Sequence, residues 1–202
     1  MALCGEVIAA PLPATPGTRK LLVLGDSLSA EYGLPRGSGW VALLQQQLER
    51  SHPGTGLVNA SISGETTSGA RSRLPGLLRQ HQPSHVIIEL GGNDALRGLS
   101  LDMTADNLKF MVQAARQTGA KVLLLGMQMP PNYGPELVRQ FAALYPAVAK
   151  ATGVGLVPFF LKGVGDDADP LRWFQADRIH PNEAAQPRLL ANVWPELKKQ
   201  LP

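Results

Sequence analysis

Cysteine is almost missing from this chain. Cys4 is the only one among 202 residues, so no intrachain disulfide can form and pairing says nothing about redox compartment. Of the four histidines, His52, His81, His85 and His180, only His81 and His85 share an HxxxH spacing, across helix-breaking Pro83, and no CxxC pattern occurs. That argues against a bound metal. No stretch approaches 18 uninterrupted apolar residues, so stable membrane insertion is not expected. Lys and Arg outnumber Asp and Glu by only 19 to 16 and are scattered. A nucleic-acid partner would call for a clustered basic patch. The GxSxG elbow of α/β-hydrolases is absent, as are the GxGxxG and GxxxxGK[ST] phosphate loops, so no cofactor is expected.

What is present is ordinary for a globular domain, with 44% apolar and 17% charged residues. The length suits one domain with a substantial core. Residues 1–19 read as a leader outside the fold, because small apolar residues are followed by Pro11, Pro13 and Pro16. Two readings stand side by side. A secretory-signal remnant would place the protein in the periplasm or outside the cell; a disordered leader is compatible with the cytoplasm. Glu6 and the missing basic n-region count against the first. Residues 20–202 are expected to form one domain, a monomer or weak oligomer.

Along that domain, apolar runs alternate with helical periodicity. Leu21–Leu24 stops at Gly25 and reads as a buried strand of a parallel sheet. Further strands are predicted at Leu57–Ala60, His85–Leu90, Val122–Leu125 and Val154–Val157. Helices are predicted from Trp40 to about Leu48, around Leu74–Leu78, over Leu108–Ala115 with Gly119 at C′, over Val138–Lys150, and from Asp177–Pro181 to near Lys199. Residues 161–176 look irregular. Five strands separated by helices require a parallel sheet with crossover connections, and right-handed crossovers put helices on both faces. The expected architecture is a three-layer α/β/α sandwich with a five-stranded parallel sheet.

The strand ends collect small and polar residues at one edge: Gly25-Asp26-Ser27, Ser63-Gly64 and Gly91-Gly92-Asn93-Asp94. Ligands gather at that edge in open α/β sheets. Ser27 is the candidate nucleophile, although a serine after a strand also serves as a helix N-cap. A serine hydroxyl needs a base, and His180 can provide it if Asp177, three residues earlier, orients the ring. Acyl transfer also needs donors for the developing oxyanion. The backbone N–H groups of Ser27 and Gly64 and the amide of Asn93 are candidates. Asp26 and Asp94 read as turn formers or helix caps, and Gly91 as a conformational glycine. Met127, Met129, Leu137, Phe159 and Phe160 suggest an apolar acyl groove.

Four blocks, Gly25-Asp26-Ser27-Leu28-Ser29, Ser63-Gly64, Gly91-Gly92-Asn93-Asp94 and Asp177-Arg178-Ile179-His180-Pro181, stand in order, and the chain resembles the GDSL or SGNH hydrolase family over nearly all of residues 20–200. Asn59–Gly64, Glu89–Asp94, Leu96-Arg97-Gly98 and Pro131–Gly134 resemble its bacterial thioesterase, lysophospholipase and arylesterase branch. The resemblance implies a flavodoxin-like SGNH fold and a Ser27–His180–Asp177 triad. It implies an oxyanion hole of Ser27, Gly64 and Asn93, and a substrate-side loop at Asn132, Tyr133 and Gly134, with Phe159 nearby. Expected substrates are aryl esters, acyl-CoA or lysophospholipids. Three departures bear on loop geometry: Glu31 where many relatives have Gly, Glu65 where Asp is common, and Ala95 after the Asn-Asp pair. Alternatives are a carbohydrate O-deacetylase of the same fold and a flavodoxin-like module binding a phosphorylated cofactor. The second gives no reason for Asp177 and His180, and its phosphate would meet the Asp26 carboxylate.

Overall fold

The computed structural model describes residues 19–202. In chain order the elements are β1 (Arg19–Gly25), α1 (Trp40–Ser51), β2 (Thr55–Asn59), α2 (Thr67–His81), β3 (His85–Glu89), α3 (Gly92–Leu96), α4 (Leu101–Gln117), β4 (Lys121–Leu125), α5 (Pro135–Thr152), β5 (Gly155–Val157) and α6 (Gln186–Lys198). The strands form one parallel sheet in the order β2-β1-β3-β4-β5. Helices α1 and α6 pack together on one side; α2, α4 and α5 pack in succession on the other. This is the three-layer α/β/α sandwich expected from the alternation of runs.

The central strands show why the sheet forms. Leu21–Leu24 of β1 and all five residues of β3 are buried. Each fully buried aliphatic side chain contributes roughly 1.5–3 kcal/mol, and strands covered on both faces read as continuous apolar runs. β1 lies between β2 and β3, so the connections leave the sheet in opposite directions on either side of it. A crevice therefore opens beyond the carboxyl ends of β1 and β3. Ser27 follows the first of these strands and Asn93 the second.

Several boundaries differ from the sequence reading. Arg19 pairs with Thr55, so the sheet begins one residue inside the segment read as leader; the rest of that segment lies outside the described residues. β2 starts at Thr55, because Gly56 extends the ladder instead of turning it. Gly92-Asn93-Asp94 begins a short helix, α3, and is not merely a loop. The largest difference concerns Asp177–Pro181, which does not open the last helix. Arg178 has φ +59°, a left-handed conformation incompatible with a helix start. Asn182 accepts from the Ala185 N–H, and α6 begins only at Gln186. Gly119 sits just past α4 with φ +86°, as a C′ glycine should.

The N-terminus of α1 has no side-chain cap of its own. Buried Gln186, the first residue of α6, accepts from the Trp40 N–H at 3.0 Å. Among the described residues no helix is long and apolar enough to cross a membrane.

Candidate active site

Gly25 ends β1 where a Cβ would come within 2.7–2.9 Å of Ser29 and Glu89, so only glycine fits. The chain then makes a tight turn. Asp26 O accepts from Ser29 N–H at 3.2 Å and Ala30 N–H at 2.9 Å, and Asp26 Oδ1 accepts from Leu28 N–H at 3.0 Å. This turn lifts half-buried Ser27 above the strand end.

His180 comes to Ser27 from the far end of the chain, with Nε2 2.9 Å from Ser27 Oγ. Its Nδ1 lies 2.6 Å from Asp177 Oδ2. Asp177 Oδ1 accepts from the N–H groups of Ile179 at 2.9 Å and His180 at 3.1 Å. The turn that excludes Asp177–Pro181 from α6 is thus the device that fits the carboxylate to its own imidazole. Donation from the Ile179 N–H, with the His180 side chain and N–H adding to it, holds the Asp177 carboxyl at about 2. The Tyr32 ring lies against the His180 ring, centroids 4.4 Å apart at 38°. Gln175 Nε2 anchors that loop by donating to Tyr32 O at 2.8 Å.

The three candidate oxyanion donors differ in what already engages them. The N–H groups of Ser27 and Gly64 have no acceptor among the described residues. Gly64 has φ +77°, and its carbonyl accepts from Arg97 Nη2 at 2.8 Å. Asn93 Nδ2 donates to Asp26 Oδ2 at 3.0 Å, which leaves its second N–H for another acceptor. Asp26 therefore does more than form a turn. Asp94, buried in α3, accepts from Thr67 N–H at 2.9 Å and Thr67 Oγ1 at 2.5 Å, clamping the start of α2. Gly91 has φ +114°, and a Cβ there would lie 2.5 Å from the Tyr145 hydroxyl. It serves conformation, as its sequence setting suggests.

The substrate-side residues are less enclosed. Asn132 and Tyr133 lie in an exposed 3-10 turn, Pro131–Tyr133, closed by Gly134 at φ +89°. Phe159 packs half-buried on the core. Of the five residues read as an apolar groove, Met127, Met129 and Phe160 are buried, Phe160 edge-on against Trp40, whereas Leu137 and Phe159 are half-buried. A concavity of about 510 Å³ lies instead near Lys121 and Gln200, where β4 begins and away from Ser27. Its cations are already engaged: Arg116 with Thr152 O, Lys121 with Gln200 O, Lys199 with Glu196.

Two departures from the family pattern have structural reasons. Glu31, at φ +59°, accepts from the N–H groups of Gly37 and Gly39 and organises the loop before α1. Glu65 forms an ion pair with Arg73. Sequence reading gave no role to Tyr32, and quoted Arg97 and Glu89 only within stretches that resemble the bacterial branch. Only Glu89 left a signal, as an acid inside an apolar strand run. Among the described residues no group of three or more His, Cys, Asp or Glu could hold a metal.

Comparison with known proteins identifies the family. A family described as GDSL-like lipase/acylhydrolase matches residues 23–187. Esterase TesA of Pseudomonas aeruginosa is 51% identical over 199 residues, covering 98% of each chain. Thioesterase 1/protease 1/lysophospholipase L1 of Escherichia coli K12 is 45% identical over 167 residues, 83% of this chain and 77% of that one. A crystal structure of TesA superposes with a TM-score of 0.86 at 54% identity, covering 91% of this chain and all of the other. With its parallel sheet, its four blocks at one sheet edge and these relatives, the chain belongs to the GDSL-like lipase/acylhydrolase family.

Proposed function

We propose that the protein hydrolyses carboxylic esters and thioesters through an acyl-enzyme on Ser27. The observation that carries this reading is the continuous relay Ser27 Oγ, His180 Nε2, His180 Nδ1, Asp177 Oδ2, with spacings of 2.9 and 2.6 Å. Ser27 Oγ attacks the acyl carbon while its proton passes to His180 Nε2. The carbonyl π electrons move to oxygen, and the N–H groups of Ser27, Gly64 and Asn93 receive the anion. Collapse breaks the bond to the leaving alcohol or thiol, which takes the proton from His180. Water then repeats the sequence on the acyl-enzyme and releases the acid. Asp177 stays ionised and stabilises the imidazolium at each stage.

Aryl esters, acyl-CoA thioesters and lysophospholipids are the substrate classes we propose; the Escherichia coli relative is named a thioesterase and lysophospholipase, and an arylesterase of Vibrio mimicus is 41% identical over 188 residues. The exposed turn at Asn132-Tyr133-Gly134 and half-buried Phe159 form the acyl side of the site.

The test is a panel of p-nitrophenyl esters and acyl-CoA thioesters of graded chain length, with an organophosphonate as covalent probe. The phosphonate should label Ser27 and abolish turnover, and Ser27→Ala should be inert to both. Wild-type turnover in Ser27→Ala would end this reading. Asn93→Ala should lose about 10²–10³ in kcat with KM little changed, the loss typical of one oxyanion donor.

A further inference from the structure

Glu89 is an acid within the apolar β3 strand and is completely shielded from solvent. Its Oε2 accepts from Ser29 Oγ at 2.8 Å and from Asp26 N–H at 3.4 Å. Ser29 Oγ in turn accepts from Trp40 Nε1 at 3.2 Å. Its other oxygen, Oε1, is buried without any donor among the described residues. Among the described residues neither Glu89 nor the equally enclosed Asp26 has a salt-bridge partner. Two adjacent buried carboxylates without a cation would be strongly unfavourable, and such a pair retains a proton.

The hydrogen bonds indicate which acid carries it. Asp26 has a donor on each oxygen, Leu28 N–H and Asn93 Nδ2, as an ionised, acceptor-only group requires. Glu89 Oε1, lacking a donor, is the atom on which a proton removes an unmet demand. Burial above all, with the Asp26 charge and a hydrogen bond between the two carboxyls, drives Glu89 well above the usual carboxylate range. Burial raises Asp26 only to about 6, because Leu28, Asn93, His180 and Glu89 all favour its ionised form. Tyr145 on α5 and Asp94 in α3 are the other titratable groups around the pair.

We propose that Glu89 is a buried carboxylic acid whose proton bridges to Asp26, and that through Asp26 it fixes the rotation of the Asn93 amide. Both acids are positioning residues. An ionised Asp26 accepts only, so the Asn93 NH₂ must face it, and the second N–H is then directed at the substrate oxygen. Without the Glu89 proton, Asp26 loses a donor that favours its ionised form and takes up a proton itself; as a donor it can then hold the Asn93 amide by its carbonyl oxygen, which turns the NH₂ away from the substrate.

This inference rests on Asn93 being an oxyanion donor, and the experiment separates the two. Glu89→Gln, Glu89→Met, Asn93→Ala and the Glu89→Met/Asn93→Ala double variant are assayed with p-nitrophenyl butyrate. Glu89→Met should lose about ten- to hundredfold in kcat at nearly constant KM, less than removal of a whole donor. Glu89→Gln, whose NH₂ replaces the acid proton, should recover most of that loss. On an Asn93→Ala background, Glu89→Met should cost less than about threefold more, because both changes act through one group. A glutamine variant as poor as the methionine one, or a full Glu89→Met penalty without Asn93, overturns the proposal. Wild-type kcat in Asn93→Ala overturns the oxyanion reading and with it the positioning role. Should Glu89→Met not fold, the infrared carbonyl band of a protonated acid decides. It should be present in the wild type at neutral pH and absent from Glu89→Gln; its absence from the wild type overturns the proposal.

Discussion

Asp177 is the residue whose replacement separates chemistry from folding most cleanly. Asp177→Asn keeps the size of the side chain but takes away the charge that faces His180. We expect a loss on the order of 10²–10⁴ in kcat, the upper figure being the usual cost in a triad, with far-ultraviolet circular dichroism unchanged. The folded carboxyl lies at about 2 against 3.8 for the free group. Its contribution to stability is therefore present above pH 4 and lost as pH falls from 4 towards 2. Any fall in wild-type activity above pH 4 must come from another group. Asp26 has the opposite sign. Raised from 3.8 to about 6, it withholds about 3 kcal/mol from the folded state above pH 6, and that penalty fades as pH drops to 4. Urea unfolding of wild type and Asp26→Asn should show the difference moving in favour of the wild type between pH 6 and 4. A constant difference would mean that Asp26 does not titrate there.

Among the elements, the junction of β3 with α3 carries the heaviest constraint. Gly91 is held at φ +114° with the Tyr145 hydroxyl where its Cβ would be, and that hydroxyl donates to Leu90 O at 3.0 Å. Gly91→Ala should destabilise by about 2 kcal/mol or more, from backbone strain and crowding together. The urea midpoint measures it; Gly98→Ala, also at positive φ but with open space around it, isolates the backbone part. The same junction shows what a sequence can and cannot reveal. The strands were legible because β1 and β3 are buried on both faces, so their apolar runs are unbroken. α3 was not, since Gly-Gly-Asn-Asp has turn chemistry and the helix exists only because Asp94 reaches Thr67 on α2. The start of α6 was misplaced for a similar reason. Arg178 carries no sign of its left-handed conformation, which goes with the bonds that Asp177 Oδ1 accepts from the N–H groups of Ile179 and His180. The candidate site was legible as a set of residue types at strand ends. Its supporting layer was not, because Glu89 reaches Asp26 and Ser29, and Trp40 reaches Ser29, only through tertiary packing.

At the scale of the whole molecule, Ser27 and His180 are 153 residues apart in sequence yet touch through a hydrogen bond. The first follows the opening strand, and the second precedes the final helix. Gln186 on the Trp40 N–H is a long-range tether from the segment after His180 to α1. Hydrolysis is consequently a reporter of completed folding. In a refolding time course the helical signal can return while the terminal segment is still undocked, but turnover cannot. We expect ester hydrolysis to recover no faster than the slowest spectroscopic phase, and Gln186→Ala to delay turnover more than it delays circular dichroism. If Ser27 and His180 act together as proposed, a chain released before α6 has docked is catalytically silent, and cannot cleave esters until the fold has closed.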